Sequence, residues 1–202
     1  MRKAILHLKT VDPVLGGIIE KVGKYRIEYL EPEFSTLVRS IVYQQLSGKA
    51  AATIYNRLAA AVGDGGRLSP DLILALGANE MRRVGLSQQK TAYILDLAER
   101  TLSGELDFAT LRRLTDQQVI GKLTEVKGIG VWTAHMFLIF ALRRANVLPS
   151  GDLGIRVAIQ KAYSLPELPP VKQVAEIATS WHPYCTVASW YLWRSLEEKA
   201  GL

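Results

Sequence analysis

The sequence predicts an all-α protein, and three observations carry that expectation. Apolar residues recur at helical spacing, while alternating apolar–polar runs are almost absent. Good N-cap residues stand directly before the apolar segments, and Gly and Pro break the chain at short intervals. With 49% apolar and 22% charged residues in 202, the chain can build a genuine core, which excludes a disordered tail. At about 150 residues per domain, the length allows one large or two small domains.

Taken in order, Asp12-Pro13 opens a short helix that Gly23 stops. Glu31-Pro32 is a break, after which Phe34, Leu37, Ile41, Leu46 and the alanines at 50–52 predict one or two apolar helices. Gly63, Gly65 and Gly66 punctuate again. Ser69-Pro70 reads as a cap followed by proline at the first helical position, and Gly85 ends that piece. Ser87 caps the next helix. Thr115 with Gln118 is a capping-box pattern, opening a helix through Ile120 and Leu123 that ends near Val126. A new helix starts at Val131, another follows the loop 148–151, and the last ones follow Pro169-Pro170.

Lys and Arg number 25 against 19 Asp and Glu, a formal charge of +6 that points first to polyanions such as nucleic acid. The single cysteine, Cys185, excludes an internal disulfide and a cysteine-held iron–sulfur cluster. His7, His135 and His182 lie far apart in the chain, which argues against a His/Cys zinc site. The N-terminal apolar stretch is too short for a signal peptide, and the apolar run 131–142 is interrupted by His135 and short of the roughly 20 residues of a membrane span. A basic, soluble, intracellular protein is expected.

The most informative stretch runs from 123 to 160. Gly128 and Gly130 permit positive φ and leave no side chain between the Lys127-Gly128-Ile129-Gly130 turn and an approaching ligand. The helix beginning at Val131 offers amides and a dipole suited to one phosphate. A plain turn between packed helices, plugged by Ile129, accounts for the same residues. Asp152 follows the loop 148–151 and precedes an apolar helix, a position for an N-cap. A helix start can also hold a carboxylate at the mouth of a cleft, so the two roles are compatible.

A glycine hairpin between helices, then a Gly/Pro loop, then an aspartate, resembles the helix-hairpin-helix DNA glycosylase superfamily. The similarity is greatest to bacterial 3-methyladenine DNA glycosylase II and its relatives. FSTLVRSIVYQQLSGKAA, RVGLSQQKTAYILDLA and WHPYCTVASWYLWRSL extend it, in order, over most of the chain from about Asp12. The resemblance implies two helical subdomains with the active-site cleft between them. Residues 1–32 with 147–202 would form one, and 33–146, carrying the hairpin, the other.

By the same resemblance Asp152 is the catalytic carboxylate, and Trp132, Met136 and Trp193 line the base pocket. Gly128, Ile129 and Gly130 grip DNA, and Gln45 enters the base stack where the damaged nucleotide leaves. Ser47 and Lys49 touch phosphate. Bifunctional relatives carry a Schiff-base lysine two positions after the second hairpin glycine. This chain has Trp132 there, which implies a monofunctional enzyme that uses water. Met136 replaces a tyrosine and Cys185 an arginine of the family pattern. Trp181, Tyr184, Trp190 and Tyr191 are expected to pack the core, and the arginine pairs 82–83, 112–113 and 143–144 to lie on solvated faces. No cofactor is required, though the backbone carbonyls of Val126 and Ile129 suit a structural Na+ or K+. The implied activity is hydrolysis of alkylated purines (3-methyladenine, 7-methylguanine) from double-stranded DNA in base-excision repair. The implied protein is a monomer, not membrane-bound, in the cytoplasm, and nucleoid-associated if the host is bacterial or archaeal. Uracil, hypoxanthine or oxidised bases as substrates, and a non-catalytic lesion-binding module, are the alternatives.

Overall fold

The computed structural model describes residues 1–197, and no β-strand occurs among the described residues. It forms α1 (Arg2–Val11), α2 (Pro13–Val22), α3 (Phe34–Tyr43), α4 (Gly48–Val62), α5 (Pro70–Arg83, broken at Gly77) and α6 (Gln88–Leu102). There follow α7 (Phe108–Leu111), α8 (Asp116–Thr124), α9 (Val131–Met136), α10 (Leu153–Ala162), α11 (Val171–Ile177) and α12 (Cys185–Glu197). A π-helical turn at Phe137–Ala141 continues α9; such turns are rare and recur near functional sites. No helix among the described residues is long and apolar enough to cross a membrane.

Local chemistry explains most of these boundaries. Asp12, Ser47, Ser87, Asp107, Thr115 and Asp152 each accept a backbone N–H of the helix they precede, and the reciprocal Thr115–Gln118 box is complete. Ser69 sits at the cap of α5 without capping an amide. The helix expected to end near Val126 ends at Thr124, where a tight turn takes over.

The chain divides into two units, Met1–Tyr29 with Leu138–Leu202, and Leu30–Phe137. The second crossing thus falls at the π-helical turn rather than at 146/147. In the first unit α1, α2, α10 and α12 pack together around Leu8, Leu15, Ile19, Ile155, Ile159, Trp181 and Tyr191. Each large side chain buried in this way contributes about 1.5–3 kcal/mol. Asp12 joins distant parts of this unit by accepting the Leu15 amide at 3.0 Å, the Trp181 indole N–H at 2.7 Å and the Tyr163 hydroxyl. Burial and the Asp12 carboxylate together raise the Tyr163 phenol above its usual pKa.

In the second unit α6 packs on α3 and α5, α4 packs on α3 and α5, and α8 packs on α9. Leu37, Ile41, Leu58, Ile73, Met81, Ile94, Leu97, Val119 and Leu123 are wholly buried there.

Candidate active site

Within the second unit, the turn between α8 and α9 and the turn between α3 and α4 line one pocket of about 540 Å³. Gln45, Gly128, Gly130, Trp132 and Met136 lie on its wall. So do Arg39, Ser40, Tyr43 and Gln44, which sequence reasoning did not single out. Their signal was available: Ser40, Tyr43 and Gln44 are polar side chains spaced i, i+3, i+4 at the end of a largely apolar helix. The Arg39 guanidinium lies 4.4 Å from the Tyr43 ring centroid. Trp132 is 52% exposed, so it is not a core residue, whereas Trp181 and Tyr191 are fully buried.

The two hairpin glycines differ. Gly128 has φ 79°, and a Cβ there would lie 2.0 Å from the Tyr93 ring, so both backbone and packing demand glycine. Gly130 has φ −95° and serves as the N-cap of α9, with nothing within 4 Å of a Cβ placed on it. Only Gly128 therefore uses the positive φ that both glycines permit. Ile129 is buried beneath the turn, and its amide donates to the Val126 carbonyl at 3.1 Å.

Asp96 on α6 supports the hairpin by accepting the Lys127 amide at 3.0 Å. Its carboxylate also meets the Lys127 ammonium at 3.2 Å and the Arg100 guanidinium at 3.2 Å. Burial opposes ionisation of Asp96, but the donated bonds from Lys127 and Arg100 outweigh it and hold its carboxyl below the usual value.

Gln45 is exposed and adopts φ 57°, a left-handed conformation that a non-glycine residue rarely takes. Ser47 caps α4 by accepting the Ala50 amide at 3.4 Å, and Lys49 is exposed in the first turn of that helix.

Asp152 and Trp193 meet in the first unit. Asp152 caps α10, its Oδ1 accepting the Ile155 amide at 2.8 Å and the Trp193 indole N–H at 2.9 Å. Phe140 of the π-helical turn stacks on Trp193 with ring centroids 6.0 Å apart. Gly154 makes room for the pair: a Cβ there would lie 3.0 Å from Asp152 Oδ1 and 3.1 Å from Trp193 Cδ1. One face of the carboxylate is thereby fixed in direction by two donors. Cys185 is buried at the start of α12. The paired arginines are mostly exposed, with Arg112 3.8 Å from Glu31 and Arg143 over the Tyr29 ring.

The chain is similar to known proteins over nearly its whole length. The sequence model of the HhH-GPD superfamily of base excision DNA repair proteins matches residues 38–183. The chain is 35% identical over 200 residues to DNA-3-methyladenine glycosylase 1 of Schizosaccharomyces pombe, covering 96% of this chain and 87% of that one. It superposes on the S. pombe 3-methyladenine DNA glycosylase solved in complex with abasic DNA, with a TM-score of 0.83 and 36% identity over 95% of both chains. For the DNA-3-methyladenine glycosidase of Bacillus halodurans the TM-score is 0.86 at 38% identity, covering 96% of this chain and 90% of that one. The chain belongs to the HhH-GPD superfamily of base excision DNA repair proteins.

Proposed function

We propose that the protein is a monofunctional DNA glycosylase that hydrolyses the N-glycosidic bond of alkylated purines in double-stranded DNA, the first step of base-excision repair. The observation that carries the reading is Asp152, a carboxylate at a helix start whose Oδ1 is held by two donors, one of them an indole. Relatives of similar length and fold are named for 3-methyladenine.

In this reading the nucleotide leaves the duplex stack, and its base enters the pocket beside Trp132 and Met136. As the C1′–N bond lengthens, its electron pair moves onto the cationic base, which departs neutral. The positive charge left on the sugar is stabilised by the fixed carboxylate of Asp152. Water forms the new C1′–O bond and gives up a proton, with Asp152 as the base that orients or accepts it. Aromatic faces at Trp132 and Trp193 favour a cationic ring by about 0.5–2 kcal/mol. Gln45, Ser47, Lys49 and the hairpin residues 128–130 are assigned to DNA.

Hydrolysis without strand cleavage is supported by Trp132 at the position where bifunctional relatives carry lysine, and by the engagement of Lys127 with Asp96. Among the described residues no group of three His, Cys, Asp or Glu could hold a metal. The carbonyls of Val126 and Ile129 are neutral oxygen donors that fit a monovalent ion. The Val126 oxygen already accepts the Ile129 amide, and a carbonyl has a second lone pair. A bound cation would add positive charge at the hairpin. The protein is assigned to the cytoplasm, acting as a monomer.

The test is incubation with methylated duplex DNA. Released 3-methyladenine and 7-methylguanine, strands intact until treated with alkali, and no enzyme–DNA adduct trapped by borohydride are the expected results. A trapped adduct would show a Schiff base and overturn the monofunctional assignment. Absence of any base release would overturn the glycosylase reading.

A further inference from the structure

Three residues of α6, spaced three apart on one helix face, each hold part of the two turns that line the pocket. Lys90 donates from its ammonium to the carbonyls of Val42 and Gln44, both at 2.7 Å. Tyr93 lies against Gly128 so closely that no Cβ would fit between them. Asp96 accepts the Lys127 amide. Gln44 then joins the two turns directly, its side-chain N–H donating to the Gly128 carbonyl at 2.8 Å.

The carbonyls at the end of a helix such as α3 have no intrahelical partner, and at an ordinary surface turn water satisfies them. Here a partly buried ammonium does so, although burial disfavours its charge and pulls its pKa below the usual lysine value. Such an arrangement costs desolvation that a surface cap would avoid; what it adds is a fixed position. The residue it fixes is the next one. Gln45 keeps a left-handed conformation, which is strained for a residue with a Cβ and persists only where its surroundings dictate it. The Gln44 carbonyl bound to Lys90 and the Gln44 side chain bound to the hairpin supply that constraint from adjoining atoms.

We propose that Lys90 and Gln44 are positioning residues for base extrusion: they hold the α3–α4 turn so that Gln45 is poised to enter the base stack, in fixed register with the hairpin that grips phosphate. This rests on the reading of the chain as a DNA glycosylase with Gln45 as the inserting residue. Neither residue touches the reacting atoms. Their loss acts on how often the nucleotide leaves the helix, not on the hydrolysis itself.

The experiment compares Lys90→Met, Lys90→Arg, Gln44→Met and Gln45→Ala with the wild-type chain. Extrusion is read by fluorescence of 2-aminopurine placed beside the lesion, excision by single-turnover rates, and grip by affinity for undamaged duplex. Lys90→Met and Gln44→Met are expected to lower extrusion and excision together by roughly tenfold to a hundredfold, the scale of a small misplacement at a site. Affinity for undamaged duplex should stay near the wild-type value, and Lys90→Arg should recover most of the loss. A role in folding alone would lower all three readouts with the fraction of folded protein and would overturn the proposal. Should Lys90→Met not fold, Gln44→Met decides, since wild-type extrusion in that variant overturns the clamp. Impaired Gln45→Ala beside unimpaired Lys90→Met and Gln44→Met overturns the clamp alone. Unimpaired Gln45→Ala overturns the inserting role and the clamp with it.

Discussion

Asp12 and Asp152 both cap a helix, each accepting the amide three residues on, and both accept an indole N–H from a tryptophan. Their surroundings separate them. Asp12 is 7% exposed and takes the Trp181 and Tyr163 donors on its second oxygen, whereas the amide and indole bonds of Asp152 converge on Oδ1. Asn can keep one acceptor oxygen but places an NH2 where the other was. Asp152→Asn is therefore expected to retain the cap and the Trp193 bond and to cut base release by ~10²–10³ in the folded protein. Asp12→Asn sets a donor against two donors and should cost about 1.5–3 kcal/mol of stability, with excision by the folded fraction intact. Thermal melts with single-turnover rates separate the two outcomes; a fully active Asp152→Asn would remove that residue from the chemistry. Cys185 shows burial acting on a different group. Burial pushes its thiol from 9.0 up to about 12, so between those values the folded chain keeps a proton that the unfolded chain releases. Stability contributed by Cys185 is accordingly present below pH 9 and declines as pH rises toward 12. Urea midpoints measured on both sides of pH 9 should fall further for the wild type than for Cys185→Ala, which has no proton to lose.

At the scale of elements, the hairpin offers a sharper contrast than its two glycines suggest in sequence. Gly128→Ala meets both a positive φ and the Tyr93 ring, and should cost at least ~1–3 kcal/mol in folding. Gly130→Ala meets neither, so its melt should match the wild type while affinity drops for damaged and undamaged duplex by similar factors, because phosphate contacts position without reading bases. A loss confined to damaged duplex would show that the hairpin reads the lesion. Nothing in the Gly-Ile-Gly string distinguishes these two glycines; the difference comes from α6, a distant element. Helix starts were legible wherever a side chain settles them locally, as at Asp12-Pro13, Ser87 and the Thr115–Gln118 box. Helix α1 was not foreseen, since its cap position, Met1, makes no side-chain capping bond and its buried face has only Ala4 and Leu8. Gln44 and Gln45 are alike in sequence and adjacent, yet one turns in to the Gly128 carbonyl and the other is exposed in a left-handed conformation. Lys90 and Asp96 act across 46 and 31 residues of chain, a range over which local pattern carries no information. For Asp152 the cap was visible from its neighbours, while the catalytic role proposed for it comes only through resemblance.

Over the whole molecule the charge is unevenly shared. The unit holding Asp152 has thirteen basic against eight acidic residues, a net +5, and the unit holding the hairpin has twelve against eleven, a net +1. The excess positive charge that attracts the DNA polyanion thus lies mainly in the first unit. The pocket of the second unit is lined by no Asp, Glu or His; Arg39 and Tyr43 are its only ionisable walls. No carboxyl or imidazole stands on these walls to protonate a departing base. A neutral purine such as hypoxanthine or 8-oxoguanine leaves poorly unless it gains a proton, whereas 3-methyladenine and 7-methylguanine already carry positive charge and depart as neutral molecules. A purine stacked on the half-exposed face of Trp132 would gain cation–π attraction only if charged, beyond the stacking that any purine makes. Single-turnover rates on matched duplexes are therefore expected to be faster for both methylated bases than for hypoxanthine or 8-oxoguanine. Met136, a flexible side chain on the pocket wall, makes no polar contact that would rank one methylated purine above the other. If hypoxanthine or 8-oxoguanine were released faster than both cationic bases, a proton donor other than the pocket walls would have to exist, and charge could not be what selects the substrate.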